Sequence, residues 1–186
     1  MTDGHERYLQ EVLISEERLR QRIAELGTEI STDYQGCSGL LLVCVLKGGI
    51  LFLADLMRHI EVPHAIDFLA VSSYGVGARQ SRGEVRIMMD LSSQIAGQHV
   101  LIIEDIIDSG HTLRYVMEML QARRPASLKL CALLNKVSRR RVNIRVDYTG
   151  FEIEDRFVFG YGLDLDEKYR NLPFVGVADL SQTGDA

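Results

Sequence analysis

The stretch Val100-Leu-Ile-Ile-Glu-Asp-Ile-Ile-Asp-Ser-Gly-His-Thr-Leu113 (VLIIEDIIDSGHTL) passes in fourteen residues from an apolar run to acids to a turn. Val100 to Ile103 has the continuous apolar character of a strand covered on both faces. Glu104 and Asp105 then place two adjacent carboxylates at the strand end, and Asp108 leads a turn containing Gly110. Helical periodicity begins at Thr112 and runs to Ala122. Taking an ionised carboxylate out of water costs several kcal/mol unless it is compensated. Acids in this position are therefore expected to hold something.

The same alternation continues on both sides. Glu16 to Ile30 carries Leu19, Ile23, Leu26 and Ile30 at helical spacing, with Ser15 placed to cap the start. Leu40 to Leu46 (LLLVCVL) reads as another buried strand, broken by Lys47-Gly48-Gly49, after which Ile50 to His59 is helical. Ala65 to Tyr74 and Glu84 to Asp90 read as extended. Between them Gly75 to Gly83 is polar and rich in Gly and Arg, the composition of a mobile loop. Leu128 to Leu134 is a further strand. Strands of this kind alternating with helices indicate an α/β fold, a mainly parallel twisted sheet flanked by helices. After Lys136 the pattern changes to short extended pieces, DYTGFEI, RFVFGYGLD and FVGVAD. These predict a small C-terminal hood or flap, in a single domain spanning 1–186. The core is expected over about 10–135, and the hood over about 136–186 together with the N-terminal segment.

Composition bounds the function. With 186 residues, 46% hydrophobic and 25% charged, the chain is an ordinary globular domain. A net charge of -5 and a pI near 5.5 argue against bulk affinity for nucleic acid. Cys37, Cys44 and Cys131 lack metal-type spacing, and two of them sit inside apolar runs as reduced thiols would. No basic-then-apolar leader and no membrane-length apolar run is read, so a cytoplasmic protein with no membrane partner is expected. The run Arg139-Arg140-Arg141 reads as a solvated basic surface.

In an open parallel sheet, ligands bind beyond the carboxyl ends of the strands. The turn from Ile107 to Thr112 would deliver backbone N–H groups at a helix start, which is a phosphate cradle, with Ser109 and Thr112 adding hydroxyls and Gly110 permitting the tight backbone. Helix capping by Asp108 or Ser109 is the plain alternative. No GxxxxGK[ST] and no GxGxxG after a strand is present, which disfavours Walker-type and Rossmann sites. Acids beside a phosphate cradle suit a ribose phosphate, its hydroxyls accepted by carboxylates with Mg²⁺ nearby.

VLIIEDIIDSGHTL closely resembles the phosphoribosyl-pyrophosphate motif of type I phosphoribosyltransferases, in particular their hypoxanthine-guanine branch. VLKGG at Val45–Gly49 resembles the pyrophosphate loop, and SSYG at Ser72–Gly75 the closing loop. Lys136 with GFEIEDRFVFGYGLDLDEKYRNLP resembles the purine-binding half. The similarity covers nearly all of the chain after residue 10, in matching order.

By this resemblance Glu104 and Asp105 engage the ribose hydroxyls with Mg²⁺ close by, and Asp108, Ser109, Gly110, His111 and Thr112 wrap the 5′-phosphate. His111 contributes its amide. Lys47, Gly48 and Arg170 hold pyrophosphate, and a cis peptide is implied between Leu46 and Lys47. Lys136 donates to the purine 6-oxo group, Phe157 stacks on the base, and Val158 and Asp164 offer main-chain carbonyls to its edge. The Asp164 side chain faces a second Mg²⁺. Ser73 and Tyr74 open a lid running to Gly83. The implied reaction carries the phosphoribosyl group to hypoxanthine or guanine, giving IMP or GMP and pyrophosphate, with Asp108 receiving the base proton. A homodimer or homotetramer is implied. Two alternatives remain at this point: a phosphoribosyltransferase for xanthine or a pyrimidine, and a non-catalytic nucleotide-sensing regulator.

Overall fold

A computed structural model describes residues 4–73 and 85–182. Six strands form the main sheet: β2 (Leu40–Leu46), β3 (His64–Ser73), β4 (Val85–Met89), β5 (His99–Ile107), β6 (Ser127–Asn135) and β7 (Tyr148–Glu152). Their order is β4-β3-β2-β5-β6-β7, all parallel except β4, which runs antiparallel to β3. A second sheet of three antiparallel strands contains β1 (Leu9–Ile14), β9 (Val175–Ala178) and β8 (Val158–Phe159), in the order β1-β9-β8.

The central strands are apolar at successive positions because both sheet faces are covered. Leu40, Leu42 and Cys44 point into a core shared with α1 (Glu16–Asp33) and α2 (Ile50–Leu56), whereas Leu41, Val43 and Val45 enter the core under α3 (His111–Gln121). The two helices with long apolar stripes dock by them: Leu19, Ile23, Leu26 and Ile30 on α1, and Leu113, Val116 and Leu120 on α3, are all buried. Fully burying one such side chain contributes roughly 1.5–3 kcal/mol. Ser15 caps α1, its side chain accepting from Arg18 N–H at 3.3 Å.

Two features differ from expectation, and a third expectation falls outside the described residues. β5 does not end at Ile103. It stays paired with β6 as far as Ile107↔Asn135, while its pairing with β2 stops at Cys44↔Ile103. Glu104 and Asp105 therefore lie inside the strand, at the level where β2 is giving way to the Lys47 loop. Second, DYTGFEI is not part of the hood: Tyr148–Glu152 is a parallel edge strand of the main sheet, with Cys131 paired to Tyr148. The small sheet is completed by Leu9–Ile14, the N-terminal segment expected in the hood, a largely exposed strand with no apolar run. Third, Tyr74, the segment Gly75–Gly83 and Glu84 lie outside the described residues. Ser73, the other proposed lid residue, ends β3.

Candidate active site

At the carboxyl end of β5 the two acids meet. Glu104 and Asp105 stand side by side in the chain, and burial with mutual repulsion pushes Glu104 well above the usual carboxylate range. Asp105 is raised too, chiefly by burial, with the positive charge of Arg170 acting in the opposite sense. Below them the Cys44 thiol is pushed up to about 12, first by burial and then by the two acids.

Gly48 is built against this pair. A Cβ on Gly48 would lie 1.6 Å from Asp105 Oδ2, so only a glycine lets the loop after β2 reach the acids. The peptide between Leu46 and Lys47 is cis, as the resemblance implies.

The turn after β5 is not a side-chain cap. Gly110 is the N-cap residue of α3, with φ +86° and no side-chain cap bond, so neither Asp108 nor Ser109 is used for capping. The helix begins at His111, one residue earlier than its periodicity suggests, and His111 is exposed. Its first N–H groups face a cleft of about 260 Å³ lined by Glu104, Asp108, Ser109, Gly110 and Thr112. A larger open groove of about 700 Å³ lies against α3 and β6, but its ionic side chains are already paired: Arg114 with Glu118 at 2.8 Å, Arg145 with Asp147 at 3.0 Å and Lys129 with Asp33 at 3.0 Å. It holds none of the residues described above.

Two cations converge on one carboxylate in the turn that follows β8. Lys47 Nζ is 2.7 Å and Arg170 Nη2 is 3.3 Å from the same oxygen, Glu167 Oε2. Arg170 also pairs with Asp164 Oδ1 at 2.9 Å and donates to the Gly162 carbonyl at 2.8 Å. These contacts hold Glu167 below the usual carboxylate range, with the Lys47 hydrogen bond as the largest cause. The turn that arranges them carries Asp166, Glu167 and Tyr169 at positive φ. Asp164, Asp166 and Glu167 look in sequence like a solvated acidic turn. Asp164 and Glu167 are instead the anions that anchor two cations.

Lys136, at the end of β6, is buried at 7% exposure, and its ammonium lies 3.6 Å from Asp155 Oδ1. Phe157 is not core: 48% of it is exposed, beside the buried Val158 of β8. The basic run is solvated at Arg139 and Arg141, with Arg140 half-buried, and it also makes contacts at the site. Arg139 donates to Asp108 Oδ1 at 3.0 Å, and Arg140 Nη2 donates to Asn135 Oδ1. The Arg141 N–H donates to the Ser109 carbonyl at 3.0 Å. Arg139, Asp155, Glu167 and Gly162 are thus site neighbours that the sequence leaves unmarked. The one signal for Arg139 is its place three residues after Lys136, on the same connection out of β6.

Known proteins resemble this chain over most of its length. A model of the phosphoribosyl transferase domain matches residues 13–168. A hypoxanthine phosphoribosyltransferase of Salmonella typhimurium is 50% identical over 167 residues, 89% of this chain and 93% of that protein. A hypoxanthine-guanine phosphoribosyltransferase of Bacillus subtilis is 48% identical over 169 residues, 91% of this chain and 93% of the other. The crystal structure of a hypoxanthine phosphoribosyltransferase from Staphylococcus aureus superposes with a TM-score of 0.93 at 42% identity, covering 100% of both chains. The sheet order, the acid pair at the carboxyl end of β5 and these matches together place the chain in the phosphoribosyl transferase family, as an enzyme of its hypoxanthine and hypoxanthine-guanine branch.

Proposed function

We propose that this enzyme transfers the 5-phosphoribosyl group of phosphoribosyl pyrophosphate to N9 of hypoxanthine or guanine, forming IMP or GMP and releasing pyrophosphate, within one domain. The observation that carries this reading is the convergence of Lys47 and Arg170 on a single anionic oxygen beside the Glu104–Asp105 pair. A departing pyrophosphate needs that arrangement of positive charge, and the ribose needs the acids next to it.

The remaining roles follow the same layout. Glu104 and Asp105 accept the ribose hydroxyls, and the amides and hydroxyls of Asp108, Ser109, Gly110, His111 and Thr112 hold the 5′-phosphate at the start of α3. Lys47, Gly48 and Arg170 hold pyrophosphate. Lys136 donates to the 6-oxo group, Phe157 stacks on the purine, and the main-chain carbonyls of Val158 and Asp164 meet its edge. As N9 bonds to the anomeric carbon, the bond from that carbon to pyrophosphate breaks and the ring proton passes to Asp108. Ser73 and Tyr74 lead the lid that excludes water, the competing nucleophile.

Glu104, Asp105 and Asp164 suit magnesium as oxygen donors. Magnesium keeps several waters and binds through one or two carboxylates, which these acids could supply, and substrate phosphates. When bound, it offsets the charge growing on pyrophosphate. Cytoplasmic placement belongs to this reading and is supported by the three free cysteines. Association as a homodimer or homotetramer belongs to this reading through the resemblance to the family. Neither nucleic acid nor membrane is a partner in this reading.

The test is direct. Hypoxanthine, phosphoribosyl pyrophosphate and Mg²⁺ incubated with the protein should yield IMP, followed by ultraviolet absorbance. Failure to form IMP or GMP while xanthine or a pyrimidine is consumed would replace the substrate assignment.

A further inference from the structure

Four charged side chains form an unbroken line from the end of β6 to the phosphate turn. Lys136 Nζ is 3.6 Å from Asp155 Oδ1, and that same oxygen is 3.6 Å from Arg139 Nε. Arg139 Nε in turn donates to Asp108 Oδ1 at 3.0 Å. The order is Lys136, Asp155, Arg139, Asp108, with alternating sign.

The backbone fixes the line. Arg139 ends a single 3-10 turn, Val137–Arg139, that is tied to the phosphate turn on both sides. The Lys136 N–H donates to the Ile107 carbonyl at 3.0 Å and the Arg141 N–H to the Ser109 carbonyl at 3.0 Å. The stem of Arg140 packs on Gly110, where an added Cβ would meet its Cδ at 3.2 Å. Asp155 comes from the opposite direction, two residues ahead of Phe157. An exposed ion pair between freely moving side chains contributes little. Here the chain segments bearing the charges are already held, so less ordering entropy opposes the contacts.

We propose that Arg139 and Asp155 are positioning residues, which set the proton acceptor Asp108 and the carbonyl donor Lys136 against one purine ring. This rests on the roles given above to Asp108 and Lys136. Arg139 occupies Oδ1 of Asp108 and leaves Oδ2 to meet the ring N–H. Asp155 gives the buried ammonium of Lys136 a counter-charge, which a buried cation needs. At 3.6 Å it is too far for a hydrogen bond, so the N–H groups of Lys136 stay available for a carbonyl. When Asp108 receives the proton its negative charge disappears, and Asp155 remains as the anion beside Arg139. The line keeps Arg139 paired through the step.

The experiment combines Arg139→Gln, Arg139→Lys, Asp155→Asn and Asp108→Asn, reading turnover, KM for hypoxanthine and direct binding of phosphoribosyl pyrophosphate. Arg139→Gln should lower kcat by about threefold to tenfold, with donor affinity changed by less than about twofold, as expected for one charge-assisted contact acting through another residue. Arg139→Lys should recover part of that loss. In the Asp108→Asn background, Arg139→Gln should cost nothing further. Asp155→Asn should raise KM for hypoxanthine by about threefold to tenfold with donor binding intact, and it reads the other end of the line should Arg139→Gln fail to fold. Equal losses from Arg139→Gln in both backgrounds overturn the proposal, because Arg139 then acts independently of Asp108. Donor binding that weakens in step with kcat overturns it too, and makes Arg139 part of the phosphate cradle. Near-normal turnover in Asp108→Asn alone removes the assigned role of Asp108, and the proposal with it. That last outcome separates failure of the underlying reading from failure of the line itself.

Discussion

Gly162 lies so close to the main-chain oxygen of Gly48 that a Cβ on it would stand 2.1 Å away. It also has φ +97°, a conformation that costs an L side chain roughly 1–2 kcal/mol. The contact ties the loop bearing Lys47 to the turn bearing Arg170, whose guanidinium donates to the Gly162 carbonyl. Gly162→Ala is expected to weaken pyrophosphate binding by at least about tenfold while the fold loses about 1–3 kcal/mol, since the intruding methyl must push Gly48 away from Asp105. Pyrophosphate titration and denaturant midpoints check both. Unchanged affinity would mean that the two loops are not coupled.

Asp108→Asn keeps the shape of the phosphate turn, whose N-cap is Gly110 and not Asp108. Its expected effect is a fall in turnover of about 10²–10⁴-fold with donor affinity within a few-fold, the signature of a lost general acid–base group. Pre-steady-state transfer to hypoxanthine, paired with direct donor binding, measures it. Lost donor binding would assign Asp108 to the cradle.

Lys136→Ala removes a buried cation and its contact with Asp155. Use of the base should weaken by about 1.5–3 kcal/mol, the worth of a charged hydrogen bond, with donor affinity nearly intact. Equal weakening of both substrates would make Lys136 structural.

The acid pair gives a pH dependence with a definite sign. Glu104 titrates well above its usual carboxylate range in the folded chain, so between the unfolded value near 4.5 and the higher folded one the native state holds more protons than the unfolded state. Stability from this group is therefore fully present below the unfolded value and declines as pH rises. Glu104→Gln should raise Tm in chelator-treated, ligand-free protein, by about 2–4 °C for each kcal/mol recovered, and more at pH 8 than at pH 4.5. Thermal scans at the two pH values test it. A Tm that falls equally at both would show that the carboxyl is a structural hydrogen-bond partner.

The strand–helix alternation is legible because β2 is apolar throughout, β5 and β6 have continuous apolar runs at Val100–Ile103 and Leu130–Leu134, and α1 and α3 have single apolar stripes. Chain ends of elements were less so. Glu104 and Asp105 look like residues beyond a strand, yet pairing with β6 holds their backbone extended. Tyr148–Glu152 reads in sequence as hood because an edge strand containing Gly150 lacks the apolar run of its neighbours. There Gly150 is needed: a Cβ would lie 2.5 Å from the Leu133 carbonyl. The phosphate turn and its acids are local in sequence and could be read. Arg139 could not be, since its acidic partner Asp108 lies 31 residues away and only the fold brings them together.

The chain contains no tryptophan. Phe157 sits half-exposed beside the buried Val158, so its ring has one open face. Phe157→Trp would therefore install a single indole at the place assigned to the purine, with no other tryptophan emission to subtract. Stacking of a base on that ring would register as quenched fluorescence on addition of hypoxanthine or guanine, and the order in which donor and base must be added to see the signal would report the order of binding. The absence of one residue type from the sequence makes this site optically addressable.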